Sequence, residues 1–116
     1  MSYTLEQIAL FIGARVYGVA LNEISWLLTD SRSLCFPEST LFFALESARN
    51  DGHRYINELY RRGVRAFVVN KEPQDILLYP EAGFLLVQDT LKALQRLAER
   101  HRESFDIPVV GITGSN

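Results

Sequence analysis

The chain has 116 residues, of which 47% are hydrophobic and 22% charged, and its formal net charge is -2. That balance fits one compact domain with a core of its own, and it excludes a low-complexity tether or a chain drawn as a whole to nucleic acid or an anionic membrane. Cys35 is the single cysteine, so no internal disulfide can form, and His53 and His101 have no Cys or second His at metal-ligand spacing.

The opening Met1 to Glu6 has no basic stretch followed by an apolar one, so no signal peptide is expected. No apolar run approaches the ~20 residues that cross a bilayer. The first predicted element is a helix in which Leu5, Ile8, Ala9 and Ile12 share one face; Thr4 with Gln7 forms a capping box and Gly13 ends it. A strand is predicted over Ile24 to Leu28. It runs into Thr29-Asp30-Ser31-Arg32, where Ser31 reads as a strand-end turn and Asp30 with Arg32 as either ligand contacts or an internal pair.

A second strand covers Leu41 to Leu45. Phe42 and Phe43 alternate faces there, so at most one can face a groove. Asp51 and Gly52 then read as the cap and turn before a helix from about Arg54 to Arg62. Ile56, Leu59 and Tyr60 are its apolar stripe, Glu58 pairs with Arg62, and Gly63 is its stop. Trp26 and Tyr55 could stack on a flat ring, but each lies in an apolar pattern that favours the core. Cys35 has no basic or histidine neighbour in sequence, so it is given no nucleophilic role.

Strands are predicted at Ala66 to Val69 and Phe84 to Val87. A third helix follows Asp89-Thr90, with Leu91, Leu94, Leu97 and Ala98 inward and Lys92, Arg96, Glu99 and Arg100 outward. Asp106-Ile107-Pro108 reads as a boundary between residues 1–106 and residues 107–116, and a last apolar strand covers Val109 to Thr113. Helices alternating with largely apolar strands predict a layered α/β fold: a mixed or largely parallel sheet of about five strands with helices packed on it.

The last strand runs into Gly111-Ile112-Thr113-Gly114-Ser115-Asn116. A buried strand ending in a glycine-rich turn is how a phosphate loop begins, because glycines let backbone N–H groups approach phosphate oxygens. The lysine and Ser/Thr that hold the terminal phosphates and Mg²⁺ would have to follow. The alternative is a tight turn after a strand. The expectation is a chain cut as such a loop opens.

Four stretches carry a family resemblance: Thr29-Asp30-Ser31-Arg32, Leu41-Phe42-Phe43-Ala44-Leu45, Asp51-Gly52-His53-Arg54-Tyr55-Ile56 and Gly111 to Asn116. In this order, over roughly Thr4 to Asn116, they resemble the N-terminal domain of the Mur ligases. The resemblance implies a cytoplasmic enzyme of peptidoglycan synthesis that joins an amino acid or dipeptide to a UDP-N-acetylmuramoyl peptide, using ATP and Mg²⁺. Residues 1–106 would hold the UDP end, with Thr29, Asp30, Ser31, Arg32, Ser47, Arg49, Asn50 and His53 as substrate-binding candidates. Thr113, Gly114, Ser115 and Asn116 would open the ATP loop of a central domain beginning at residue 107.

No catalytic residue, metal ligand or bound cofactor is expected within this stretch, nor a nucleic-acid or membrane partner. The wording from Leu28 to Leu34 and through Phe36-Pro37-Glu38 is most similar to members that add D-alanyl-D-alanine, especially the form fused to an alanine racemase. Alternatives are the member that adds the third amino acid, or a stand-alone nucleotide-binding module. Ser39 and Ser47 stand where the family usually has glycine, so the path of Glu46 to Asn50 is the least transferable.

Overall fold

Local signals set the first helix. Thr4 accepts a hydrogen bond from the Gln7 N–H while the Gln7 side chain accepts from the Thr4 N–H, and Gly13 closes the other end in the left-handed conformation. Between them α1 (Leu5–Ile12) buries Leu5, Ile8, Ala9 and Ile12 on one side. The computed structural model describes residues 3–18, 23–30, 32, 34–46, 51–73, 76–104 and 109–110.

After α1 come β1 (Arg15–Gly18), β2 (Trp26–Leu28), β3 (Thr40–Phe43), α2 (Ile56–Arg61), β4 (Ala66–Val69), β5 (Gly83–Leu86), α3 (Thr90–Ser104) and β6 (Val109–Val110). Among the described residues the strands form one sheet in the order β1-β5-β4-β3-β2-β6. β2 through β5 and β6 run parallel, and β1 joins β5 antiparallel. The expected strands are all present, with ends shifted by a residue or two; residues 111–113 lie outside the described set.

β1 is an addition to the expected set. Its residues are mostly exposed, so it lacks the apolar run that marks a buried strand, and its backbone is held by β5 from far along the chain. A second correction concerns α3. Leu91 is 50% exposed, and Ala93 takes the inward place beside Leu94 and Leu97. The second helix also begins differently: a 3-10 turn, Gly52–Tyr55, precedes α2. The Glu58–Arg62 pair is present at 3.7 Å.

Side chains alternate across the sheet as strand geometry demands. Leu27, Leu41, Phe43, Ala66, Val68 and Leu85 face α1 and α3. Leu28, Phe42, Ala44, Phe67, Val69 and Phe84 face α2. Crossover handedness explains the layering. The path from β3 through α2 to β4 moves one way along the sheet, while the path from β5 through α3 to β6 moves back, so right-handed crossovers put the two helices on opposite faces.

Candidate ligand-binding site

Because β2, β3, β4, β5 and β6 are parallel, their carboxyl ends open on one edge, which is where open α/β sheets bind ligands. Thr29, Asp30 and Arg32 leave β2 there, Glu46 follows β3, and Asn70 with Lys71 follow β4. Asp51 and His53 return to the same edge through a bridge between Glu46 and Asp51 and a hydrogen bond from the Gly52 N–H to the Leu45 carbonyl. Of the candidates read from sequence, Ser31, Ser47, Arg49, Asn50 and Thr113 to Asn116 lie outside the described residues.

Asp30 and Arg32 bond each other. Arg32 donates through Nε and NH2 to both oxygens of Asp30, at 3.2 and 3.0 Å, and its backbone N–H donates at 2.9 Å. These bonds hold the Asp30 carboxyl below its usual range. The pair stiffens the turn after β2 and leaves the rest of the guanidinium in solvent.

His53 is built into a network. Its Nδ1 lies 2.6 Å from Asp51 Oδ1, and its Nε2 accepts from the Asn70 backbone N–H at 3.2 Å. With Nε2 accepting, the proton sits on Nδ1 and is donated to Asp51. Asp51 also caps the 3-10 turn by accepting from the His53 N–H, and it takes a 2.8 Å hydrogen bond from Lys71 Nζ. The Asn70 side chain donates to Glu46. Its own Oδ1 is buried with no hydrogen-bond partner among the described residues. The His53 side chain is only 15% exposed.

Burial alone would raise the Asp51 carboxyl. The hydrogen bonds from Lys71 and from the backbone and ring of His53 overcome it and hold the group well below the carboxylate range. The sign of the pH effect follows. A depressed folded pKa stabilises the fold above the unfolded value of about 3.9, and the gain is lost as pH falls below it. Asp51→Asn should therefore lower the thermal midpoint at neutral pH, and the gap to wild type should close below about pH 4. Midpoints that stay equally far apart down to acid pH would show that the charge of Asp51 is not what matters.

Carboxylate oxygens of Glu46 and Asp51 and a ring nitrogen of His53 lie within 4.8 Å of one another, a spacing a cation could bridge. The positive charge that meets them is the Lys71 ammonium. Sequence spacing overlooked this cluster because only folding brings Glu46 and Lys71 to His53. The available signal was positional: Asn70 and Lys71 follow directly on the buried run Phe67-Val68-Val69.

Beside the network a cleft of about 360 Å³ is lined by His53, Ile56, Val69, Lys71, Tyr79 and Phe84, among others. Its walls combine apolar and aromatic side chains with the polar His53, Lys71 and Glu72. The other aromatic candidates are engaged elsewhere. Trp26, at the amino end of β2, stacks on Phe36 with ring centroids 5.0 Å apart, and Tyr55 packs against the core on the α2 side.

Residues 23–102 match the profile of the Mur ligase family, catalytic domain. The UDP-N-acetylmuramoyl-tripeptide--D-alanyl-D-alanine ligase of Synechocystis is 41% identical over 93 residues, covering 80% of this chain and 20% of that protein. The UDP-N-acetylmuramoyl-L-alanyl-D-glutamate--2,6-diaminopimelate ligase of Geobacter metallireducens is 39% identical over 116 residues, covering 97% of this chain and 22% of that protein. Among solved structures, MurF from Acinetobacter baumannii superposes with a TM-score of 0.74 at 26% identity, covering 89% of this chain and 22% of that chain. The chain thus spans about a fifth of the length of the curated relatives it matches. A profile match over most of the chain, relatives above 30% identity and a shared layered fold lead to one conclusion: the chain belongs to the Mur ligase family.

Proposed function

We propose that this chain is the substrate-holding N-terminal domain of an ATP-dependent amide ligase of peptidoglycan precursor synthesis. It takes the UDP end of a UDP-N-acetylmuramoyl-tripeptide, to which the whole enzyme adds D-alanyl-D-alanine. The observation that carries this reading is the gathering of Thr29, Asp30, Arg32, Asp51 and His53 on the carboxyl edge of the sheet, in a chain whose family is shown. Ser31, Ser47, Arg49 and Asn50 complete the proposed contact set by their place in the same motifs.

ATP and Mg²⁺ belong to the whole enzyme in this reading. β6 supports it: Val109 and Val110 run parallel to β2, so β6 points toward the edge that holds Thr29. Residues 1–106 are then the UDP-binding domain and residues 107–116 the entry to the ATP-binding one, in a cytoplasmic enzyme. Gly111 to Asn116 contains no lysine to hold the terminal phosphates, so no chemical step is assigned to these residues. The diaminopimelate-adding reading also has support, from the Geobacter relative. Amide formation by the whole enzyme with each acceptor separates the two.

Titration of the chain with UDP tests the binding role. Backbone amide shifts are expected at Thr29, Arg32 and His53, with saturation at millimolar UDP or below. A spectrum unmoved at millimolar UDP would count against a uridine-holding role for these residues.

A further inference from the structure

None of the stretches that carry the family resemblance includes Asn70 or Lys71, yet these two consecutive residues reach both sides of the segment between β3 and α2. On one side the Asn70 side-chain amide donates to Glu46. On the other, Lys71 Nζ donates to Asp51 Oδ2 at 2.8 Å, and the Asn70 backbone N–H donates to His53 Nε2 at 3.2 Å. Glu46 and Asp51 are joined to each other by an antiparallel bridge, so the end of β4 grips the segment at its neck.

Three observations give this grip a purpose beyond holding the fold. First, it leaves the gripped groups no freedom. Asp51 Oδ1 takes the His53 N–H and the Nδ1 proton, and Oδ2 takes Lys71. Both ring nitrogens of His53 are thereby spent within the protein. Second, the anchor is stiff: Asn70 and Lys71 follow directly on Phe67, Val68 and Val69, which are buried in the sheet. Sites are held most accurately when regular elements support them. Third, the Asn70 side chain takes its place at a cost to the fold, because its Oδ1 is buried without a hydrogen-bond partner. Stability alone does not account for that orientation, and an unsatisfied group in a native fold calls for another explanation.

We propose that Asn70 and Lys71 are positioning residues of the substrate site. They hold Glu46 and the Asp51-Gly52-His53 segment in the arrangement that the ligand meets, and neither is assigned a contact to the ligand itself. A site that must be ordered during binding gives up that ordering free energy from its affinity, whereas a site held in advance does not. The inference rests on the proposed function for the identity of the ligand.

The test compares the 116-residue chain with its Asn70→Ala, Lys71→Met double variant, by UDP titration and by amide hydrogen exchange without ligand. Exchange at Gly52 and His53 should quicken roughly tenfold or more in the variant, while Phe67 and Val68 keep their rates. The UDP dissociation constant should rise roughly tenfold, as expected for losing hydrogen bonds to charged groups. The thermal midpoint should move little, because Lys71 is exposed and truncating Asn70 also removes the unsatisfied oxygen. Asn70→Ala with Lys71→Arg restores a cation to Asp51 and should recover part of the lost affinity. Equal UDP affinity in variant and wild type overturns the positioning role and leaves the proposed function standing. A loss of affinity that tracks a fall in thermal midpoint, with no recovery by arginine, also overturns it. If the wild type does not respond to UDP, the proposed function falls; faster exchange in the variant then still supports the grip, and equal exchange overturns it.

Discussion

Phe67→Ala should cost about 3–5 kcal/mol of stability, the range for truncating a large buried aromatic. Phe67 is fully buried in β4, at the centre of the α2 side of the sheet. Its ring stacks on Phe84 with centroids 5.3 Å apart and meets Phe42 edge-on at 6.4 Å. Each neighbour belongs to an adjacent strand, so one truncation opens a cavity across β3, β4 and β5 together. A domain of this size holds roughly 5–15 kcal/mol in total, and a loss on that scale takes much of it. Phe67→Leu should lose far less, because leucine refills most of the space. Urea unfolding of the two variants is the measurement. Equal midpoints would overturn the cavity account, because refilling the space with leucine would then have recovered nothing.

Gly52→Ala should have the second largest effect, through contact with backbone. An added Cβ would lie 2.8 Å from the Leu45 nitrogen and 2.9 Å from the Ala44 Cα, and neither atom can swing away as a side-chain tip could. The close approach is what lets the Gly52 N–H reach the Leu45 carbonyl. Overpacking of this kind costs about 1–3 kcal/mol. The functional consequence is local. Gly52 lies between Asp51 and His53, so forcing it away from β3 should pull both from Lys71 and Asn70. Amide shifts in the variant should concentrate at Leu45, Asp51, His53 and Asn70. Shifts confined to residue 52 and its immediate neighbours, with unchanged stability, would refute the tight-contact account.

Features that depend on a few neighbouring residues were legible in the sequence. Thr4, Gln7 and Gly13 specify the ends of α1 by themselves, and Asp51 caps the turn after it as its spacing indicates. The buried parallel strands were legible because burial on both faces leaves an apolar run. β1 was not. Arg15 to Gly18 is an exposed edge whose pairing depends on the backbone of β5, and no local pattern encodes a distant backbone.

The site divides in the same way. The motif residues at the ends of β2 and β3 could be placed from wording alone. Lys71 and Asn70 could not, since their reach to Asp51, His53 and Glu46 exists only once β3 and β4 are in parallel register. Leu91 misled the reading of α3 because helical spacing gives a face and not its width; the buried stripe passes through Ala93 instead.

The strand order also governs how the sheet can assemble. β2, β3, β4 and β5 each pair with the strand made just before or after it, so these four can join as the chain leaves the ribosome. The outer side of β2 is different. Its partner is Val109–Val110, so Leu27 and Leu28 present an unpaired apolar edge until nearly all the intervening chain has been made. An open edge of that kind is a template for pairing with other chains. The time between synthesis of Leu28 and docking of Val109 is therefore the interval in which this fold is most exposed to aggregation.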